Sequence, residues 1–119
     1  RGIMEASGYS VERIIELGRE AGIAFDEVIA IGGGAKSPLW LQIKSDITGK
    51  KYYSAEVPEA TMMGSAMLLA IALAGNMAGL PAVQIKREFL PDSGRHMTYK
   101  QYYETYMERH EIVKKLYEI

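Results

Sequence analysis

Between Val28 and Trp40 an apolar run, three glycines and the opening of a helix follow one another without interruption: Val28-Ile29-Ala30-Ile31-Gly32-Gly33-Gly34-Ala35-Lys36-Ser37-Pro38-Leu39-Trp40. Glycine has no Cβ, so three in a row let the backbone turn sharply and let a flat or charged molecule lie against it. The helix that follows points its unpaired N–H groups and the positive end of its dipole back at the turn. Such a junction has the geometry and the electrostatics to hold a nucleotide or a phosphate. A glycine-rich turn that binds nothing is the alternative, and local sequence leaves both open.

Two well-defined phosphate motifs do not fit. The phosphate-cradling loop of NTPases places Gly directly before Lys-Ser/Thr, whereas Ala35 precedes Lys36-Ser37. The dinucleotide fingerprint G-x-G-x-x-G finds its first two glycines in Gly32 and Gly34 but meets Ser37 at the last position. Other groups of reactive type are less suggestive. Asp46, Glu56 and Glu59 lack a ligand spacing and read as solvated or helix-terminal charge. His96 and His110 have no ligand-spaced partner and read as surface residues. Lys86, Arg87 and Arg95 are scattered and read as solvated, and Met62, Met63 and Met67 as core filler. Without cysteine, disulfide frameworks, thiolate catalysis and Cys-based zinc sites are excluded.

The elements that must position the turn follow from pattern. Residues Arg1 to Ala21 predict a helix, with Met4, Val11, Ile15 and Gly18 on an apolar face, Ile14 beside it, and Glu12, Arg13, Glu16, Arg19 and Glu20 on the other. Gly8 would weaken it by about 1 kcal/mol relative to Ala, which implies a bend or a close helix contact. Gly22 ends it. Asp26 to Ile31 is a strand whose core, Val28-Ile29-Ala30-Ile31, is continuously apolar, of the kind covered on both faces. Ser37 as N-cap and Pro38 as first helical residue start a helix to Thr48. Its inward side is Leu39, Trp40, Ile43 and Ile47, and Gly49 stops it. Lys51 to Ala55 is a more polar strand, expected nearer an edge. A narrow helix from Glu59 or Ala60 to Gly75, lined by Gly64, Ala66, Ala70, Ala72 and Ala74, is suited to close packing. Leu80 to Pro91 is expected to be loop with an extended piece around Val83 to Ile85. Thr98 is expected to cap a last helix to Glu118, with Tyr102, Tyr106, Ile112, Val113 and Leu116 on its apolar side. Strand, helix, strand with this crossover predicts parallel strands, and a ligand beyond the carboxyl end of the first.

A chain of 119 residues with 48% hydrophobic and 24% charged residues is ordinary for one globular domain, able to bury roughly two-thirds of its unfolded surface. A net charge of −1 and the lack of a basic stripe argue against nucleic acid. The run Ala60 to Leu73 is short of the roughly 20 residues a membrane span requires. A soluble, cytoplasmic protein is expected.

The run Gly-Gly-Gly-Ala-Lys-Ser-Pro-Leu-Trp, with Gln42-Ile43, Asp46-Ile47 and Gly49 after it, resembles the adenosine-binding motif of the FGGY family of carbohydrate kinases. Glu56-Val57-Pro58-Glu59-Ala60 and Met63-Gly64-Ser65-Ala66 are similar to a second stretch of that family, with Met63 for its usual Leu and Ser65 for Ala. Lys-Ser-Pro-Leu-Trp looks most like the xylulokinase branch. The resemblance implies an α/β fold, part of an actin-like (ribonuclease H-like) ATPase lobe with parallel strands and packed helices. It also implies that residues 1–119 are the C-terminal part of the second, nucleotide-binding lobe. The chain begins at Arg1 in the body of a helix, in keeping with a piece of a longer kinase. The catalytic Asp and most of the sugar pocket are then expected upstream.

By the same resemblance, the backbone of Gly33, Gly34 and Ala35 would lie against adenosine and its nearer phosphate. Ser37 would donate to the adenine, or only cap the helix; Lys36 would approach a phosphate, or only reach water. Trp40 reads as core rather than as a stacking partner. The implied activity is that of an ATP-dependent phosphotransferase, with Mg²⁺, acting on a small sugar such as the ketopentose xylulose. An actin-like or chaperone-type ATPase module and a non-catalytic interaction domain stand as alternatives. The oligomeric state stays open, a homodimer among the options.

Overall fold

Seven elements carry the chain in a computed structural model that describes residues 1–55, 60–75 and 84–117. They are α1 (Gly2–Glu20), β1 (Glu27–Ala30), α2 (Pro38–Thr48), β2 (Lys51–Ala55), α3 (Ala60–Ala74), β3 (Ile85–Phe89) and α4 (Ser93–Tyr117), with a one-turn 3₁₀ helix at Gly33–Lys36 between β1 and α2. The strands form one sheet in the order β1-β2-β3. β1 and β2 pair in parallel, Val28 opposite Tyr52 and Ala30 opposite Ser54, as the strand–helix–strand order requires. β3 returns antiparallel to β2, Phe89 opposite Tyr52. That strand replaces the loop expected between Leu80 and Pro91, and it makes β2 the central strand rather than an edge. Residues 80–83 of the expected loop lie outside the described residues.

Helix α2 is the hub, because its sides face different layers. Leu41, 1% exposed, packs with Tyr52 and Phe89 against the sheet, flanked by Val28 and Ala30. Ile43 and Ile47 pack the other way, with Tyr9 of α1 and Tyr99 and Tyr103 of α4. Gly8 lets α1 come this close: a Cβ there would stand 2.5 Å from Ile47 Cδ1. The close helix contact that glycine implied is therefore with α2. Ser45 Oγ, fully buried, lies 2.8 Å from the Lys50 carbonyl and 3.2 Å from that of Phe89, tying α2 to the sheet.

Several sequence expectations change here, each for a packing reason. Leu39 is exposed, and Leu41 takes the inward position beside the sheet. Among the described residues only one face of β1 is covered, so Ile29 stands 55% exposed while Val28 and Ala30 pack inward. On α1, Ile14 is exposed and Glu16 is drawn in, accepting a hydrogen bond from the Tyr103 hydroxyl at 2.6 Å. Helix α4 begins at Ser93, not at Thr98. Asp92 caps it, accepting from the Arg95 N–H at 2.8 Å, while the Thr98 hydroxyl donates within the helix to Gly94. Its packed side is Tyr99, Tyr103, Tyr106 and Met107; Tyr102, Ile112, Val113 and Leu116 are exposed. On α3, Met62, Leu68, Leu69 and Leu73 are exposed and Gly64 meets no neighbour, so its narrow face is not used among the described residues.

Asp46 is not a solvated surface charge, whereas Arg95 is exposed as expected and pairs with it from the solvent side. Asp46 is 2% exposed, and its carboxylate accepts from Arg95 Nε at 2.7 Å, Gln42 Nε2 at 2.8 Å and the Asp92 N–H at 2.9 Å. His96 is half-buried, its Nδ1 2.9 Å from the Asp46 carbonyl, its ring over Gly49. A carbonyl only accepts, so Nδ1 carries the proton there. These contacts fix the start of α4 on the C-terminal half of α2.

Candidate functional site

The carboxyl end of β1 opens into the glycine turn. Gly32 has φ +80° and ψ −165°, a conformation that only glycine adopts readily. The chain then winds through the 3₁₀ turn, with the Ala35 N–H donating to Gly32 and the Ser37 N–H to Gly34. Positive φ falls on Gly32, not on Gly33 or Gly34. At Gly33 a Cβ would meet none of the described residues within 4 Å; at Gly34 it would make ordinary contact with the Trp40 ring, 3.5 Å from Cζ3.

Ser37 is extended, with φ −97° and ψ 104°, and its Oγ accepts from the Trp40 N–H at 3.3 Å. It is a helix cap, with Pro38 directly after it. A cap uses the oxygen as acceptor only, which leaves the hydroxyl proton for an outside acceptor. Lys36 is exposed at the end of the 3₁₀ turn. Trp40 is half-buried, and its Nε1 donates to Ser7 Oγ at 2.7 Å while Lys44 Nζ lies 4.7 Å from the ring centroid. Its indole is thus engaged by protein, but the residue is half-buried and belongs to neither buried cluster, so it is not the core residue expected. The part of Ser7 was not visible from sequence, since nothing local marks a helix serine as the partner of an indole 33 residues away.

The turn therefore brings Gly33, Gly34, Ala35 and Ser37 together at the start of α2. Asp46 is not among them, being held by Arg95. Glu56 and Glu59 lie outside the described residues, and among the described residues no cluster of three metal-ligating side chains forms. His110 is exposed and stacked beside Tyr106 on α4.

Residues 1–73 match the C-terminal domain of the FGGY family of carbohydrate kinases. The chain belongs to that family. A xylulose kinase of Bacillus subtilis (strain 168) is 44% identical over 70 residues, covering 59% of the chain and 14% of that protein. A xylulose kinase of Staphylococcus epidermidis (strain RP62A) is 32% identical over 121 residues, 98% of the chain and 24% of that protein. An autoinducer-2 kinase of Enterobacter sp. and a glycerol kinase of Saccharolobus islandicus are similar over 66% and 76% of the chain, at 38% and 35% identity. The crystal structure of xylulose kinase from Rhodospirillum rubrum superposes with a TM-score of 0.82 at 20% identity, over 98% of the chain and 24% of that structure. The FGGY chain thus shares the actin-like α/β fold of these kinases and spans about a quarter or less of their length.

Proposed function

We propose that this chain forms the adenosine-binding wall of an ATP-dependent sugar kinase, as the C-terminal part of its nucleotide lobe. The observation that carries the reading is Gly33. Its φ is not in the region that demands glycine, and among the described residues no atom lies within 4 Å of where a Cβ would stand. The described residues thus leave the backbone open there, and a glycine lets a molecule lie directly on it. Exposed Ile31 and Leu39 flank the turn in sequence and offer apolar surface to a base. The Ser37 hydroxyl, accepting at its oxygen, offers its proton to the adenine, and the α2 N-terminus favours the nearer phosphate.

In this reading the chain supplies orientation and the rest of the kinase supplies the reacting groups. A deprotonating Asp and the sugar contacts come from the opposing lobe. Mg²⁺ arrives with the phosphates of ATP, where it would neutralise charge on the transferring group. A ketopentose such as xylulose is the proposed acceptor, on the strength of the Lys-Ser-Pro-Leu-Trp run and of the xylulose kinases that are 44% and 32% identical. The cytoplasm, where ATP and sugar meet, is the proposed compartment. Among the described residues no helix is long and apolar enough to cross a membrane.

The test is coupled turnover. A kinase carrying this chain is expected to consume ATP only when xylulose is added, and residues 1–119 alone are expected to phosphorylate no sugar. ATP consumption indifferent to sugar would favour a chaperone-type ATPase instead.

A further inference from the structure

We propose that Ser7 and Trp40 are positioning residues for the nucleotide turn, Ser7 on α1 anchoring the indole that backs Gly34. The inference rests on the reading of Gly33–Ser37 as the adenosine wall. A turn built of three glycines has more conformational freedom than any other sequence of that length. Without a brace, nucleotide binding would bear the entropy of ordering it.

Trp40 is placed to be that brace. The position a Gly34 Cβ would take lies 3.5 Å from Trp40 Cζ3 and 3.7 Å from Cε3. The benzene edge of the indole is therefore in van der Waals reach behind the turn. The opposite edge is tied down: Nε1 donates to Ser7 Oγ at 2.7 Å. The single proton of that hydroxyl is given to the Met4 carbonyl at 2.8 Å, so a lone pair is held toward the indole. Lys44 Nζ covers the ring face. The Trp40 backbone N–H meanwhile holds the Ser37 hydroxyl oxygen. One residue thus backs the second glycine of the wall with its ring and orients the capping serine with its main chain. Its rotamer is set from another helix.

Steady-state kinetics of the intact kinase, with ATP and xylulose varied separately, test this. Ser7→Ala leaves the half-buried indole N–H without its acceptor and is expected to raise KM for ATP by about five- to tenfold. KM for xylulose is expected to stay within about twofold, the margin for an uncoupled site. Ser7→Thr, which restores the hydroxyl, is expected to return KM for ATP to the parent value. Trp40→Phe keeps a ring behind Gly34 but lacks the N–H; it should match Ser7→Ala, and the double variant should be no worse than either single one. Additive effects, equal losses for both substrates, or no rescue by Thr would overturn the proposal. Should Ser7→Ala not fold, Ser7→Thr and Trp40→Phe decide it alone. If Gly33→Val abolishes ATP affinity while Ser7→Ala leaves KM for ATP unchanged, the brace falls and the nucleotide wall stands. If Gly33→Val is also without effect on ATP, the wall itself falls.

Discussion

Glu12 shows how a side chain on a solvent-spaced helical position can end up working against the fold. Its Oε2 is buried with no hydrogen-bond partner among the described residues. Burial, followed by the nearby Glu16 carboxylate, raises its pKa from the ordinary carboxylate value, and Arg19, His96 and Lys50 only partly counter that. A carboxyl raised in the folded state binds its proton more tightly folded than unfolded. Stability is therefore full below the unfolded value and declines as pH rises through the folded one. Glu12→Gln is expected to unfold at a higher temperature than the parent at pH 7, by a modest margin of about 0.5–1 kcal/mol because the carboxyl is half solvated. The margin should close at pH 4, where Glu12 is protonated. Thermal unfolding of both proteins at the two pH values checks this, and an equal margin at both would assign the effect to something other than charge.

Among the elements, the contact of α1 with α2 is set by one methyl group. A Cβ on Gly8 would stand 2.5 Å from Ile47 Cδ1 but 3.6 Å from Cγ1, and Val lacks only the first of these atoms. Gly8→Ala alone sets a helix-propensity gain of about 1 kcal/mol against overpacking of about 1–3 kcal/mol, and is expected to destabilise. In an Ile47→Val background the obstruction is gone, and the same substitution is expected to stabilise by up to about 1 kcal/mol. Denaturant unfolding of the four proteins in this cycle shows the change of sign or its absence. The strand–turn–helix unit was legible from sequence because its signals are local. Ser37, Pro38 and Gly49 mark the two ends of α2 without reference to anything distant, and Gly49 stops it at φ +65°. What was not legible depends on partners far along the chain. Asp46 and His96 look like surface residues until Arg95 and the Asp46 carbonyl, 49 and 50 residues away, are brought to them. Helical spacing on α4 continues to Leu116, but packing against α1 and α2 ends near Tyr106 and Met107, and no periodicity reports where a neighbour stops. β3 was missed because Lys86, Arg87 and Glu88 give it no apolar alternation, and it is exposed except at Phe89.

At the scale of the whole molecule, the layers α1 and α4, then α2, then the sheet hold the glycine turn at one end of the parallel pair. That is the position at which open α/β sheets bind ligands. Within the site, Gly32 is required by its backbone conformation and Gly34 has the Trp40 ring behind it, whereas at Gly33 no described atom lies within 4 Å of where a Cβ would stand. Gly33 is for this reason the cleanest position to perturb: the Cβ of a valine there meets none of the described residues, so loss of the fold is not expected. Calorimetric titration of ATP and of xylulose into the intact kinase and its Gly33→Val variant measures both ligands on one preparation. ATP affinity is expected to fall by about a hundredfold or more, the equivalent of roughly 3 kcal/mol, with xylulose affinity close to that of the parent. Unchanged ATP affinity in a folded Gly33→Val protein would contradict an adenosine wall at this turn.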